Sequence, residues 1–133
     1  MALPGLDGVI YTALTGDATV NGIVGTNVYA LQAPAGVALP YIVFYLASGV
    51  VPNTQPRDDF NTVYRVESRA STRAGAQALA DAVFDVLHEA SLSTSGWSIY
   101  WTVVEAEQHF IENYDGVQVY RRVIDVRLRG SKD

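Results

Sequence analysis

The last third of the chain most restricts what the whole can become. "WSIYWTVVEAEQHFIENY" and "VQVYRRVIDVRLRG" are two long runs rich in β-branched and aromatic residues, separated only by Asp115 and Gly116. Asp-Gly between such runs is a strong two-residue hairpin signal, because the central positions of the favoured turn need positive φ. The chain is therefore expected to build a sheet around a long antiparallel ribbon, to which the remaining segments supply neighbours.

One neighbour is "LPYIVFYLASG", Leu39 to Gly49, which carries no charge. Pro40 can open a strand but cannot sit mid-sheet. Beyond it, Tyr41, Val43 and Tyr45 alternate with Ile42, Phe44 and Leu46, so both faces are apolar. That pattern predicts a buried central strand covered on both sides. It is far too short to span a membrane, and the longer uncharged run from Ala18 to Arg57 is broken by Gly22, Asn27, Gln32, Pro34 and other polar or kinking residues. No membrane partner is expected. The start, "MALPGLDGVIYTALTG", lacks the basic opening of a secretory signal.

A second neighbour, "NTVYRVESRAS", alternates cleanly. Thr62, Tyr64, Val66 and Ser68 share one face, while Val63, Arg65, Glu67 and Arg69 share another that is wet or meets a second subunit. Between the two strands, "SGVVPNTQPRDDF" reads as an extended loop over residues 48–60, long for a hairpin turn.

Helical spacing appears twice. Leu6, Val9, Ile10, Ala13 and Leu14 form one short stripe, with Gly16 as its stop and Asp17 as the cap of a further turn through Ile23 and Val24. "NVYAL" then makes a brief strand. Ser71 or Thr72 caps the main helix, whose stripe is Ala76, Leu79, Ala80, Val83, Phe84 and Leu87, with Asp81, Asp85 and His88 opposite. The expected class is α+β: a mainly antiparallel β-sheet with helices packed on it, in the order α-β-β-β-α-β-β, as one domain over residues 1–133.

Chemistry is sparse. The chain has no cysteine, and 14 acidic against 9 basic residues give a net charge of −5. The one dense basic cluster, "YRRVIDVRLRGSK", is split over two faces by strand alternation, so no affinity for nucleic acid is expected. Asp58 and Asp59, beside Arg57, are solvated loop neighbours and not a pair of contrasting carboxylates. Glu105, Glu107 and His109 share a two-residue period, which would suit a metal; a solvent-facing stripe on a long ribbon is the simpler account. Trp97, Ile99 and Trp101 share a face in the same way, and packing beneath the helix accounts for them. No phosphate-cradling glycine motif and no serine elbow occurs. Neither an enzyme nor a cofactor is expected.

"LPYIVFYLASG", the alternating "VYRVESRAS", the helix "TRAGAQALADAVFDVLHEA", "GW" opening a strand, and the closing "YRRVIDVRLRG" together resemble a phage family. The chain is similar, over roughly residues 5 to 130, to the small tail-terminator or tail-completion proteins of long-tailed bacteriophages and gene-transfer agents. The resemblance implies a structural virion protein without catalytic residues, assembled in the host cytoplasm. It implies a homo-oligomer, a hexameric ring at the head-proximal end of the tail. That ring would cap the tail-tube protein, stop polymerisation and meet the head–tail connector or stopper protein, with DNA passing through its lumen.

Contacts with a neighbouring subunit or the tube are then expected from the loop residues Val51, Arg57, Asp58 and Asp59. The wet strand face of Arg65, Glu67 and Arg69 is a further candidate, as is an outer face of Tyr120, Arg121 and Arg122. Exchange of Arg121 and Arg122 for glutamate is expected to weaken assembly without unfolding the domain. Two alternatives stay open: another connector or tail-tube component, and a small ligand- or metal-binding domain built on Trp101 and the Glu105–Glu107–His109 stripe.

Overall fold

The computed structural model describes residues 5–50, 59–114 and 116–133. Two short helices, α1 (Asp7–Gly16) and α2 (Ala18–Val24), lead into strands β1 (Val28–Ala30), β2 (Tyr41–Val50) and β3 (Asp59–Ala70). The main helix α3 (Arg73–Leu87) follows, and then β4 (Trp97–Tyr114) and β5 (Val117–Lys132). The class is α+β: among the described residues α1 and α3 lie on one five-stranded sheet of order β1-β2-β3-β5-β4, and α2 packs against those two helices. Every neighbouring pair is antiparallel except β1 and β2.

Local chemistry explains the helix ends. The Asp17 carboxylate accepts from the N–H groups of Thr19 and Val20, capping α2 and separating it from α1. Thr72 accepts from the N–H of Gly75 at the start of α3. At the far end of α3, His88 Nδ1 accepts the N–H of Val104 (3.1 Å), and the N–H of Glu89 donates to the Thr102 carbonyl (2.8 Å). The helix exit is thereby stitched to the outer edge of β4. The expected burial of Phe84 does not occur: it is 38% exposed and stacks on the His88 ring with 4.6 Å between centroids.

One apolar core lies between the helices and one face of the sheet. Leu6 at the N-cap of α1, Ile10 and Leu14 within it, and Leu79, Val83 and Leu87 of α3 pack against Ile42, Phe44, Phe60, Val66, Ile124, Val126 and Leu128. Tyr64, also on this face, donates to Asp7 (2.8 Å), fastening α1 to β3; burial, and then that carboxylate partner, push its hydroxyl pKa up.

Several expectations are corrected. "LPYIVFYLASG" forms an interior strand, β2, between β1 and β3, but it is not covered along its whole length, and β3 holds the middle of the sheet. Ile42, Val43 and Phe44 are buried where β1 flanks them, but β1 pairs only with these three residues. Beyond them Leu46 is 42% exposed and Ala47, Ser48 and Gly49 are exposed as well. The loop expected over 48–60 yields both ends to the sheet, since Ser48, Gly49 and Val50 pair with Val63, Thr62 and Asn61, and Asp59 and Phe60 open β3. Its remainder, with Val51, Arg57 and Asp58, lies outside the described residues, as does Asp115 of the hairpin turn.

Candidate assembly interface

The helices cover only one face of the sheet. The other face is laid over by its own side chains, in a ladder that runs across four strands. Register places Tyr41, Val43 and Tyr45 of β2 opposite Arg69, Glu67 and Arg65 of β3, and these opposite Arg121, Val123 and Asp125 of β5. Directly opposed residues in antiparallel strands share a face, so the charges meet.

Glu67 is the hub. Its carboxylate accepts from Tyr45 Oη (2.8 Å), Arg69 Nη2 (2.8 Å) and Arg121 Nη1 (3.2 Å), and the residue is only 4% exposed. Burial resists its ionisation, yet the hydrogen bonds from Arg69 and Tyr45 and the charges of Arg69 and Arg121 prevail. Its carboxyl is held below the ordinary glutamate value. Arg121 extends the network to Glu112 (2.8 Å) and lies over the Phe110 ring at 4.6 Å; Arg69 lies over Tyr41. Beside this hub Arg65 grips Asp125 through Nε and Nη2 (2.9 and 3.3 Å), and Arg127 grips Glu105 in the same manner (2.7 and 3.0 Å).

The candidate residues therefore divide. Arg65, Glu67, Arg69 and Arg121 come together on the open face, whereas Tyr120 and Arg122 point to the helix side of β5, because alternation turns successive residues opposite ways. The single outer face expected for Tyr120, Arg121 and Arg122 does not exist. Arg122 is 7% exposed, and its Nη1 donates to His109 Nε2 (2.6 Å). Asp59 sits at the sheet end, opposite Ser131. Sequence reasoning missed Tyr45, Glu105, Glu112, Asp125 and Arg127 as members of the ladder. Their signal is cross-strand register, which a single strand does not display.

The metal stripe also dissolves. A bulge between Val104 and Ala106 sends Glu105 to the open face with Arg127, while Glu107 and His109 stay on the helix side near Arg122. Among the described residues no group of three His, Cys, Asp or Glu side chains could hold a metal ion. A second bulge, between Ile99 and Trp101, parts the tryptophans. Trp97 packs edge-on against Phe60 at 5.6 Å, while Trp101 is 49% exposed opposite Arg129.

Two sheet edges carry no further strand among the described residues, although the exit of α3 occupies the Val104 N–H and the Thr102 carbonyl on the β4 side. No strand pairs with the outer side of β2 beyond Phe44, and none lies outside β4. The β4–β5 hairpin also projects past the last β3 pairing at Ala70 and Tyr120, with Ile111 64% and Val117 57% exposed. No described helix is long and apolar enough to cross a membrane.

The comparisons with known proteins agree with this frame. Among solved structures, a chain of the "Virion of native gene transfer agent (GTA) particle" superposes with a TM-score of 0.76. The match covers 95% of this chain and 94% of that one at 22% identity, a likeness of fold. No curated protein matches. A family model described as "Tail completion protein gp17" matches residues 8–130, from the first turn of α1 to within two residues of the end of β5. With nearly the whole sheet–helix unit inside that match, the chain belongs to the tail completion protein gp17 family, structural components of bacteriophage tails.

Proposed function

We propose that six copies of this chain form a closed ring that caps the finished tail tube at its head-proximal end. The ring stops tube polymerisation, offers its other side to the head connector or stopper protein, and lets DNA pass through its lumen. The observation that carries this reading is the pair of open edges on opposite sides of one sheet. An unpaired edge is a ready template for a further strand or a neighbouring chain. Two different open edges on one rigid sheet favour head-to-tail contacts, which close into rings when the rotation allows.

Other features support it. The open face is neutralised within the chain, so it serves as a stiff wall. Leu31, 75% exposed and held at φ 69 after β1, presents an apolar group beside the first edge. A net charge of −5 gives DNA no reason to adhere during passage. A tube subunit would polymerise or line the whole tail, whereas a terminator occurs at one end. Native mass spectrometry with negative-stain imaging tests the proposal: it predicts six copies in a ring with a central hole. Open filaments of indefinite length would transfer the chain to the tube-subunit class.

A further inference from the structure

Helix α3 bears two surfaces of opposite character. At its N-terminal end, Arg73 and Arg122 line a groove of about 220 Å3 between the helix and the projecting hairpin, walled by His109, Ile111 and Tyr120. The groove continues along Ala74 and Gln77. Its positive charge is only partly compensated, and the uncompensated part is that of Arg73. Arg73 has no acidic partner among the described residues, and the nearest carboxylate to Arg122 is Glu107, at 3.9 Å. Arg122 Nη1 lies 2.6 Å from His109 Nε2, and that same imidazole nitrogen lies 3.1 Å from the Glu107 carboxylate, so Glu107 is shared between the histidine and Arg122.

Further along the same helix, Asp81, Phe84 and Asp85 lie at i, i+3 and i+4, all exposed on one surface. Asp81 accepts from Gln77, and Asp85 has no basic partner among the described residues. The patch is thus acidic around an apolar centre, and the groove is basic beside apolar Ile111. Both lie on one rigid helix, roughly 12–18 Å apart at 1.5 Å per residue, so a single copy cannot join them. A phosphate backbone, which repeats its charge every ~1.7 Å along the duplex, would need a basic track, and the groove is isolated.

We infer that the Arg73–Arg122 groove of one copy receives the Asp81–Phe84–Asp85 patch of the next. The contact rests on the ring reading above and makes the ring's interface heterologous, each copy giving its patch to one neighbour and its groove to the other. A guanidinium pair closing on carboxylates as water leaves gives both register and specificity.

The test uses two charge-reversed variants at exposed positions, R73E and the double variant D81R/D85R, each checked for folding by circular dichroism. Native mass spectrometry over a concentration series should show each variant alone assembling at least about tenfold more weakly than the wild type. An equimolar mixture should regain assembly with the two variants alternating, because the reversed groove of one meets the reversed patch of the other. Rescue in trans is an outcome that a merely structural role cannot produce. Wild-type assembly by both variants, or folded variants that fail to rescue each other, overturns this contact and leaves the ring standing. A wild-type chain that is monomeric at every concentration, with no ring at the tail end, removes the ring and this contact together.

Discussion

Glu67 shows how much one carboxylate can hold. It binds three donors from three strands, so its replacement strands two guanidiniums that share it. Glu67→Gln should cost about 1.5–3 kcal/mol in urea unfolding at pH 7, the range for hydrogen bonds to charged groups. The pH dependence follows from the depressed folded value. Its contribution is present above the unfolded value near 4.5 and is lost as pH falls through the lower folded value. The wild type and E67Q should therefore converge in stability below that point and diverge above it; parallel curves down to pH 3 would remove Glu67 as the hub. Period-two alternation in "VYRVESR" was enough to assign Arg65, Glu67 and Arg69 to the non-core face. It could not reveal that Glu67 is buried there, because burial comes from Tyr45 and Arg121 on other strands.

Among the elements, β4 departs furthest from its sequence pattern. Alternation from Trp97 to His109 assumes an unbroken pleat, and each bulge reverses the sides that follow it. This is why Trp101 left the core and why Glu105 lies on the opposite face from Glu107 and His109. A bulge depends on the partner strand and leaves no mark in a single run of residues. At the neighbouring end of β5, Gly130 fits beneath the Phe60 ring. A Cβ there would lie 2.6 Å from the ring and 2.2 Å from the Ser98 carbonyl oxygen. Gly130→Ala should thus destabilise by about 1–3 kcal/mol or more, as overpacking does, with a clear fall in thermal midpoint. An unchanged midpoint would show that β4 and β5 are looser here than described. The helices were far more legible, since the Asp17 and Thr72 caps and the α3 stripe are local chemistry within a few residues.

At the scale of the whole molecule, the α+β class and the long hairpin could be read from the chain, while the strand order could not. Two-sided apolarity in "LPYIVFYLASG" suggested a central position. The order β1-β2-β3-β5-β4 places it inside the sheet but flanks it on both sides only over residues 42–44, while β3 at the centre and β5 beside it have open faces that are charged but mutually paired. A strand covered by salt-bridged arginines looks wet in sequence and is covered in the fold. The same placement revises the expected effect of the Arg121 and Arg122 exchanges. Both side chains have partners within the chain, so reversing them would damage the fold along with any contact between copies. Arg73, Asp81 and Asp85, exposed on α3, are the cleaner positions for probing assembly.

Where the protein sits in the particle is the most direct measure of the central claim. Gold labelling of an affinity tag on this chain, imaged on intact tailed particles, should place one cluster at the junction of head and tail. Label spread along the tail, or confined to its distal tip, would contradict a ring that closes the tube at the head.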